Sequence, residues 1–415
     1  MENKKLQLKN NKSLYLLAQC LIMVNCFLCF LEVYESHLIP LSYGLIAISI
    51  VLFFISGSYR RFKLSTISTS FIVLFCYLLL GDLINFNITT FTSQMCLSGL
   101  ALFFFFSFFS GDIEDNRNNI KTIITLSVVV SAIISILSLI FRAPDLTNNG
   151  ALQGITNHRN ALAAYCLLGI IGFTFLFDLK KIFSLKNLLL LISLVFNCCA
   201  LYKTESRTPL MVLMAFIAIM FLYFLCVFTA KKKGRVLLIT ICILVIALVF
   251  FVAISFIVTR NNPSFGEESS IRNIIDRISS SRLSIWESCI ELTKESPIFG
   301  VKDARYDELM MERMGIIHSP HNVYLSLMTV NGIPALLIYL FIIGYTIVSA
   351  IRLIIKLDNN EDKKRIFFYL AILIGYLVGD LFECFSIRSY MPSAYIVILM
   401  FSAIEAERLN NGKKV

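Results

Sequence analysis

The sequence predicts an all-α membrane protein that crosses the bilayer about twelve times and carries one large late loop outside the membrane, with an amphipathic helix inside that loop. Three observations predict it. Hydrophobic residues make up 57% of the 415 residues and mean hydropathy is +0.78, far from a soluble composition. Apolar stretches near the ~20 residues that a spanning helix needs recur along the whole chain. Lys and Arg gather at alternate connections, as they do where short loops stay on the cytoplasmic side.

In chain order the expected spans are 14–34, 38–57, 65–81, 93–110, 122–141, 160–178, 187–202, 209–229, 236–259, 322–351, 366–384 and 391–406. The first lacks an A-x-A-like cleavage site and is followed at once by another span, so it is expected to be a retained helix. With the N-terminus inside, 24 of the 37 basic residues fall on the cytoplasmic side, among them Lys4, Arg60, Lys180, Lys231, Lys363 and Lys413. Both termini are then cytoplasmic. The net charge of +10 reads as topology and calls for no nucleic acid. Positions 1–415 form a single integral-membrane domain, without internal repeats. The twelve cysteines have no paired CxxC spacing and read as small buried hydrophobes, for example Cys20, Cys26, Cys29, Cys76, Cys198 and Cys199.

The remaining thirteen basic residues fall outside: Arg142, Arg159, Lys203, Arg207 and Arg388, and eight in the loop of about 260–320. All four histidines, His37, His158, His318 and His321, share that side. A cationic, histidine-bearing face suits an anionic ligand. The middle of the loop has helical period, since Ile271, Ile274, Ile275, Ile278, Ile285, Trp286, Cys289 and Leu292 gather on one arc at ~100° per residue. Arg282 falls in that arc. Either it anchors a buried anion, or Ser279-Ser280-Ser281 breaks the helix and resets its phase. The Pro and Gly of Ser296-Pro297-Ile298-Phe299-Gly300 stop the helix.

At the loop's end, Ser319 is expected to cap the next span and Pro320 to be its first residue, which puts His321 in the first turn. Gly332 then lies near the same face, where its missing side chain admits another helix, and Pro334 is expected to kink the span. Arg207, Arg282 and His321 are the candidates to converge at the outer surface. Each has a plainer reading: Arg207 as an interfacial snorkelling residue, His321 and His318 as ordinary helix-end histidines, and His158 as a helix-entry residue. Asp380 and Glu383, costly in lipid, face the protein interior and either pair with arginines or bind sugar.

The pattern His321-Asn322, nine residues, Gly332, at the junction of a large loop and a helix, resembles the signature of bacterial O-antigen ligases. Ser206-Arg207-Thr208, the run Arg282-Leu283-Ser284-Ile285-Trp286-Glu287 leading into Ser296–Gly300, and Gly154 with Asn157–Ala163 resemble further blocks of the wider O-antigen ligase and polymerase superfamily. Ala335 departs from the ligase pattern, which more often has Gly, Thr or Tyr there.

The resemblance implies a metal-independent glycosyltransferase with no cofactor, in the bacterial inner membrane, with 260–320 as a periplasmic loop carrying part of the active site. The donor is a polysaccharide on undecaprenyl diphosphate and the acceptor lipid A-core, as in lipopolysaccharide biosynthesis. A polymerase would instead join lipid-linked repeat units, and a flippase would move them without chemistry. Arg207 and Arg282 are implied to hold the diphosphate, and His321 to take the acceptor proton or hydrogen-bond the diphosphate. Asn322, His318, Arg159 and His158 are implied to bind substrate.

Overall fold

A computed structural model describes residues 14, 17, 21, 39–56, 64–84, 113–145, 150–156, 158–229, 282–315, 319–384 and 392–411. The expected spans 93–110 and 236–259, nearly all of 14–34, and the loop before Arg282 lie outside these residues. The described helices are α1 (Ile39–Ile55), α2 (Thr66–Ile84), α3 (Ile113–Phe141), α4 (Arg159–Leu176), α5 (Leu185–Thr204), α6 (Arg207–Thr229), α7 (Leu283–Glu295), α8 (Asp303–Met314), α9 (Val323–Asn331), α10 (Ile333–Lys356), α11 (Asn360–Gly379) and α12 (Pro392–Asn411). Among the described residues, five helical stretches are long and apolar enough to cross a membrane: Thr66–Ile84, Asn116–Phe141, Arg159–Leu176, Leu185–Thr204 and Ile333–Lys356. The architecture is that of an all-α membrane protein, and among the described residues the strands are one antiparallel pair, β1 (Pro144–Asp145) with β2 (Ala151–Leu152), in register Pro144 to Leu152.

Two compact units contain these elements, the first within 1–72, 93–213 and 386–415, the second within 73–92 and 214–385. In the first, α3, α4 and α5 pack together around Ile134, Leu162, Cys166, Ile170 and Leu201. Small and polar residues let these helices approach. Buried Ser135 donates to Asn197 Oδ1 at 2.8 Å, and a Cβ on Gly169 would run into Ser131 and Asn197. Arg117 grips Glu407 through Nε and Nη2, at 2.8 and 3.0 Å, fastening α3 to α12. Of the cysteines, Cys166, Cys289 and Cys384 are buried as expected, whereas Cys76, Cys198 and Cys199 are exposed on α2 and α5. Those helices turn one face outward, and an apolar thiol suits a face directed at lipid.

In the second unit α7 keeps the expected arc. Ile285, Cys289 and Leu292 are buried at helical spacing against Val301, Tyr306, Met310 and Val330. Helix α8 was not legible as a helix beforehand, although Asp303 opens it and Gly315, at φ +71°, closes it in the usual left-handed manner.

The expected single span 322–351 is broken, and this is the main correction to the fold. Helix α9 ends at Asn331, Gly332 stands at φ +91°, and α10 starts anew at Ile333. Pro334 is not a kink but an early residue of α10, where its fixed φ and missing N–H are harmless. What approaches Gly332 is not another helix but backbone, because a Cβ there would strike the carbonyl of Ile298. That carbonyl belongs to the turn after α7. Gly332→Ala adds a clash to a conformation that only glycine adopts, and is expected to cost about 3 kcal/mol or more. The variant should fail to accumulate in membranes, measured by immunoblot against Gly344→Ala, where nothing lies within 4 Å of a Cβ. Equal amounts of both would refute this account of the break.

Candidate active site

The second unit brings His321, Asn322 and Arg282 together around the turn that follows α11. A helix begins with backbone N–H groups lacking intrahelical partners and ends with carbonyls in the same condition. Here the start of α9 and the end of α11 supply each other. Val323 N donates to Asp380 O at 2.9 Å, Asn322 Nδ2 to Leu381 O at 3.1 Å, and Tyr324 OH to Leu377 O at 2.8 Å. Asn322, buried, also accepts from Leu325 N at 3.0 Å, so it is the N-cap of α9.

This corrects the expected cap at Ser319. His321 lies before the helix, not in its first turn, with its backbone in the left-handed region at φ +46°. Histidine is among the few residues enriched there. Ser319 Oγ accepts from His321 N at 3.4 Å, and Trp286 Nε1 donates to Pro320 O at 2.9 Å, so the residue before the histidine is pinned from α7.

His321 Nδ1 lies 2.8 Å from Glu383 Oε1, with side-chain exposures of 32% and 13%. The imidazole is thus reachable while its carboxylate is sheltered. Burial raises the Glu383 carboxyl. The hydrogen bond and charge of His321, the charge of Arg282 and the N–H of Cys384 lower it by more, leaving it below the ordinary value. An ionised carboxylate only accepts, so Nδ1 carries a proton and Nε2 is turned away from Glu383. Arg282 stands at the N-cap of α7, outside the helical seam where the arc had placed it. Residues 271–281 of that arc lie outside the described residues. Its Nη1 donates to the carbonyl of Phe382, next to Glu383. Burial pulls the guanidinium below its usual value, and Glu383 and Cys384 oppose that. It stays protonated, because arginine keeps its charge in proteins.

The first unit holds Arg207, Arg159 and His158. His158 Nδ1 accepts from Asn160 N at 3.1 Å and caps α4, and Asn160 Oδ1 accepts from Ser206 Oγ at 2.8 Å. The starts of α4 and α6 are therefore tied together, with Arg159 and Arg207 the first residues of their helices. Both sit half-buried at helix N-termini, which favour anions. Arg159 Nε is buried without a hydrogen-bond partner among the described residues. His318 and Arg388 lie outside the described residues. Among the described residues no three His, Cys, Asp or Glu side chains gather as a metal site would need.

Sequence reasoning left the role of Glu383 open and gave none to Trp286, Asp82, Lys302 or Asn331. Glu383 sits four residues past the end of α11, and only its costly placement beside a span marked it.

A family model described as O-antigen ligase matches residues 188–340. Among curated proteins none matches the chain. The stretch that carries Arg207, Arg282, His321 and Asn322 is thus similar to O-antigen ligases.

Proposed function

We propose that the protein is a glycosyltransferase of the bacterial inner membrane that moves a polysaccharide from undecaprenyl diphosphate to lipid A-core at the periplasmic face, without a metal. The observation that carries this reading is the Glu383–His321 pair with Arg282 beside it. Arg282 binds the diphosphate and the charge that grows on it, since guanidinium forks match phosphate oxygens, and Arg207 and Arg159 in the first unit are further candidates for donor binding. His321 Nε2 takes the proton of the acceptor hydroxyl, whose oxygen attacks the anomeric carbon as the bond to diphosphate breaks. Undecaprenyl diphosphate leaves, and the anomeric carbon inverts. Glu383 holds the imidazole by Nδ1 and steadies the imidazolium. His158 and Asn322 each cap a helix within their own unit, and with His318 they are the further candidates to bind substrate. With both termini cytoplasmic, 260–320 is periplasmic and meets donor and acceptor there.

The second reading, a polymerase joining lipid-linked repeat units, is favoured by one residue. Ala335 stands fully buried where the ligase pattern more often has Gly, Thr or Tyr. A flippase would need charge near the bilayer midplane and repeated halves, which this sequence lacks. The test is the glycan profile of a clean deletion strain, with lipopolysaccharide and undecaprenyl-linked material resolved separately. Uncapped core with long chains stranded on the lipid carrier is expected for the ligase. Core bearing one repeat unit and no ladder would replace that reading by the polymerase.

A further inference from the structure

The break between α9 and α10 leaves polar backbone on both sides, and a single turn serves both. Val301 N donates to Thr329 O at 2.9 Å and Lys302 N to Val330 O at 3.1 Å, covering the last carbonyls of α9. Pro297 O accepts from Ile333 N, the first N–H of α10, at 2.8 Å. Gly300 permits this, for a Cβ there would meet the backbone of Val330 and Asn331.

Lys302 closes the joint with charge. Its side chain is only 4% exposed, and Nζ lies 3.5 Å from Asp82 Oδ1 on α2 and 3.4 Å from Asn331 Oδ1 at the end of α9. Asp82 is fully buried, and Gly81 leaves the space that the ammonium occupies, because its Cβ would sit 3.1 Å from Lys302 Cε. A cation at a helix C-terminus also suits the dipole of α9. Lys302 holds this place at φ +63°, a conformation lysine rarely adopts, and His321 is another of the positive-φ residues. The two stand at opposite ends of a helix of nine residues, about 14 Å long.

We propose that Lys302, held by Asp82 and Asn331, is a positioning residue for glycan transfer: it fixes the far end of α9 and so sets where His321 stands against Glu383. This rests on His321 acting as the base. A buried ion pair is a poor source of stability, since losing both charges together is often harmless while losing one is not. The double variant Lys302→Met/Asp82→Asn therefore separates the two roles.

Two readouts are made on the full-length protein in membranes. The first is transfer kinetics with lipid-linked glycan extracted from the host's own membranes as donor. The second is the rate at which diethyl pyrocarbonate modifies His321, followed by peptide mass spectrometry and needing no activity. The double variant is expected to accumulate like wild type, with kcat down about tenfold to 100-fold and KM within about twofold. His321 should be modified several-fold faster as its hold on Glu383 loosens. Wild-type kcat together with a wild-type modification rate overturns the proposal. Absence of His321-dependent transfer in the wild-type protein would instead count against the functional reading, and the modification rate alone would then decide the positioning role. Should the double variant not accumulate, Asn331→Ser removes only the amide contact, keeps the ion pair, and is expected to move both readouts in the same directions.

Discussion

Replacing His321 by asparagine is expected to lower glycan transfer by about 10²- to 10⁴-fold, the usual share of a general base, with the protein still present in the membrane at its normal level. Asparagine is the suitable substitute because it tolerates the left-handed backbone that residue 321 holds at φ +46° and removes only the imidazole. Glu383→Gln is expected to act less severely. The amide oxygen can still accept from Nδ1 but no longer balances an imidazolium. The pH series carries a further expectation. Glu383 has its folded value below its unfolded one, so the stability it contributes is complete above the ordinary carboxylate range and is lost as pH falls through the folded value. Wild type and Glu383→Gln should therefore differ in thermal stability near neutrality and converge in acid. Initial rates in membranes and melting curves in detergent measure both, and full activity in His321→Asn would sink the catalytic assignment.

On the proposed reading, replacing Arg282 by alanine is expected to remove a comparable share, about 10²-fold or more, because a preorganised cation beside a departing diphosphate would act where charge develops. Lysine should restore only part. It returns the charge but not the planar fork, and one Nη of that fork is already committed to the carbonyl of Phe382. A second consequence distinguishes Arg282 from a residue that merely binds donor. Its charge helps hold the Glu383 carboxyl low, so Arg282→Ala should shift protonation of Glu383 upward in pH and bring the acid limb of activity with it. The pH profile of transfer by Arg282→Ala and Arg282→Lys measures this. An acid limb equal to that of wild type in both variants would mean that Arg282 and Glu383 do not act together.

The hydrophobic pattern was enough to read most of the described helices, because apolar runs of bilayer length have few other solutions. It failed where backbone conformation decides. Nothing in the periodicity of 322–351 distinguishes a kink at Pro334 from a break at Gly332, since the break depends on the turn Ser296–Gly300 arriving from about thirty residues earlier. Arg282, His321 and Asn322 were legible from charge, placement and motif, and the structure gathers them at one turn. Their partners were not. Glu383 lies 62 residues from His321 in sequence and Asp82 far from Lys302, and such pairs leave no mark on local spacing. The cap at Asn322 was missed for a similar reason, because Ser319-Pro320 imitates a helix start in sequence while Asn322 makes the bond to Leu325.

The separation of α9 from α10 has a mechanical consequence. A helix of 24 residues is about 36 Å long, more than the ~30 Å of a typical hydrocarbon layer, so α10 must lean by an amount that follows bilayer thickness. Were the span continuous, every change of lean would swing the histidine at its tip. With the helix broken at Gly332, a lean of α10 is not passed rigidly along α9, which is clasped at one end by the turn after α7, the same turn that holds the first N–H of α10, and at the other by the turn after α11. Activity should then be indifferent to acyl-chain length, like an instrument hung on gimbals.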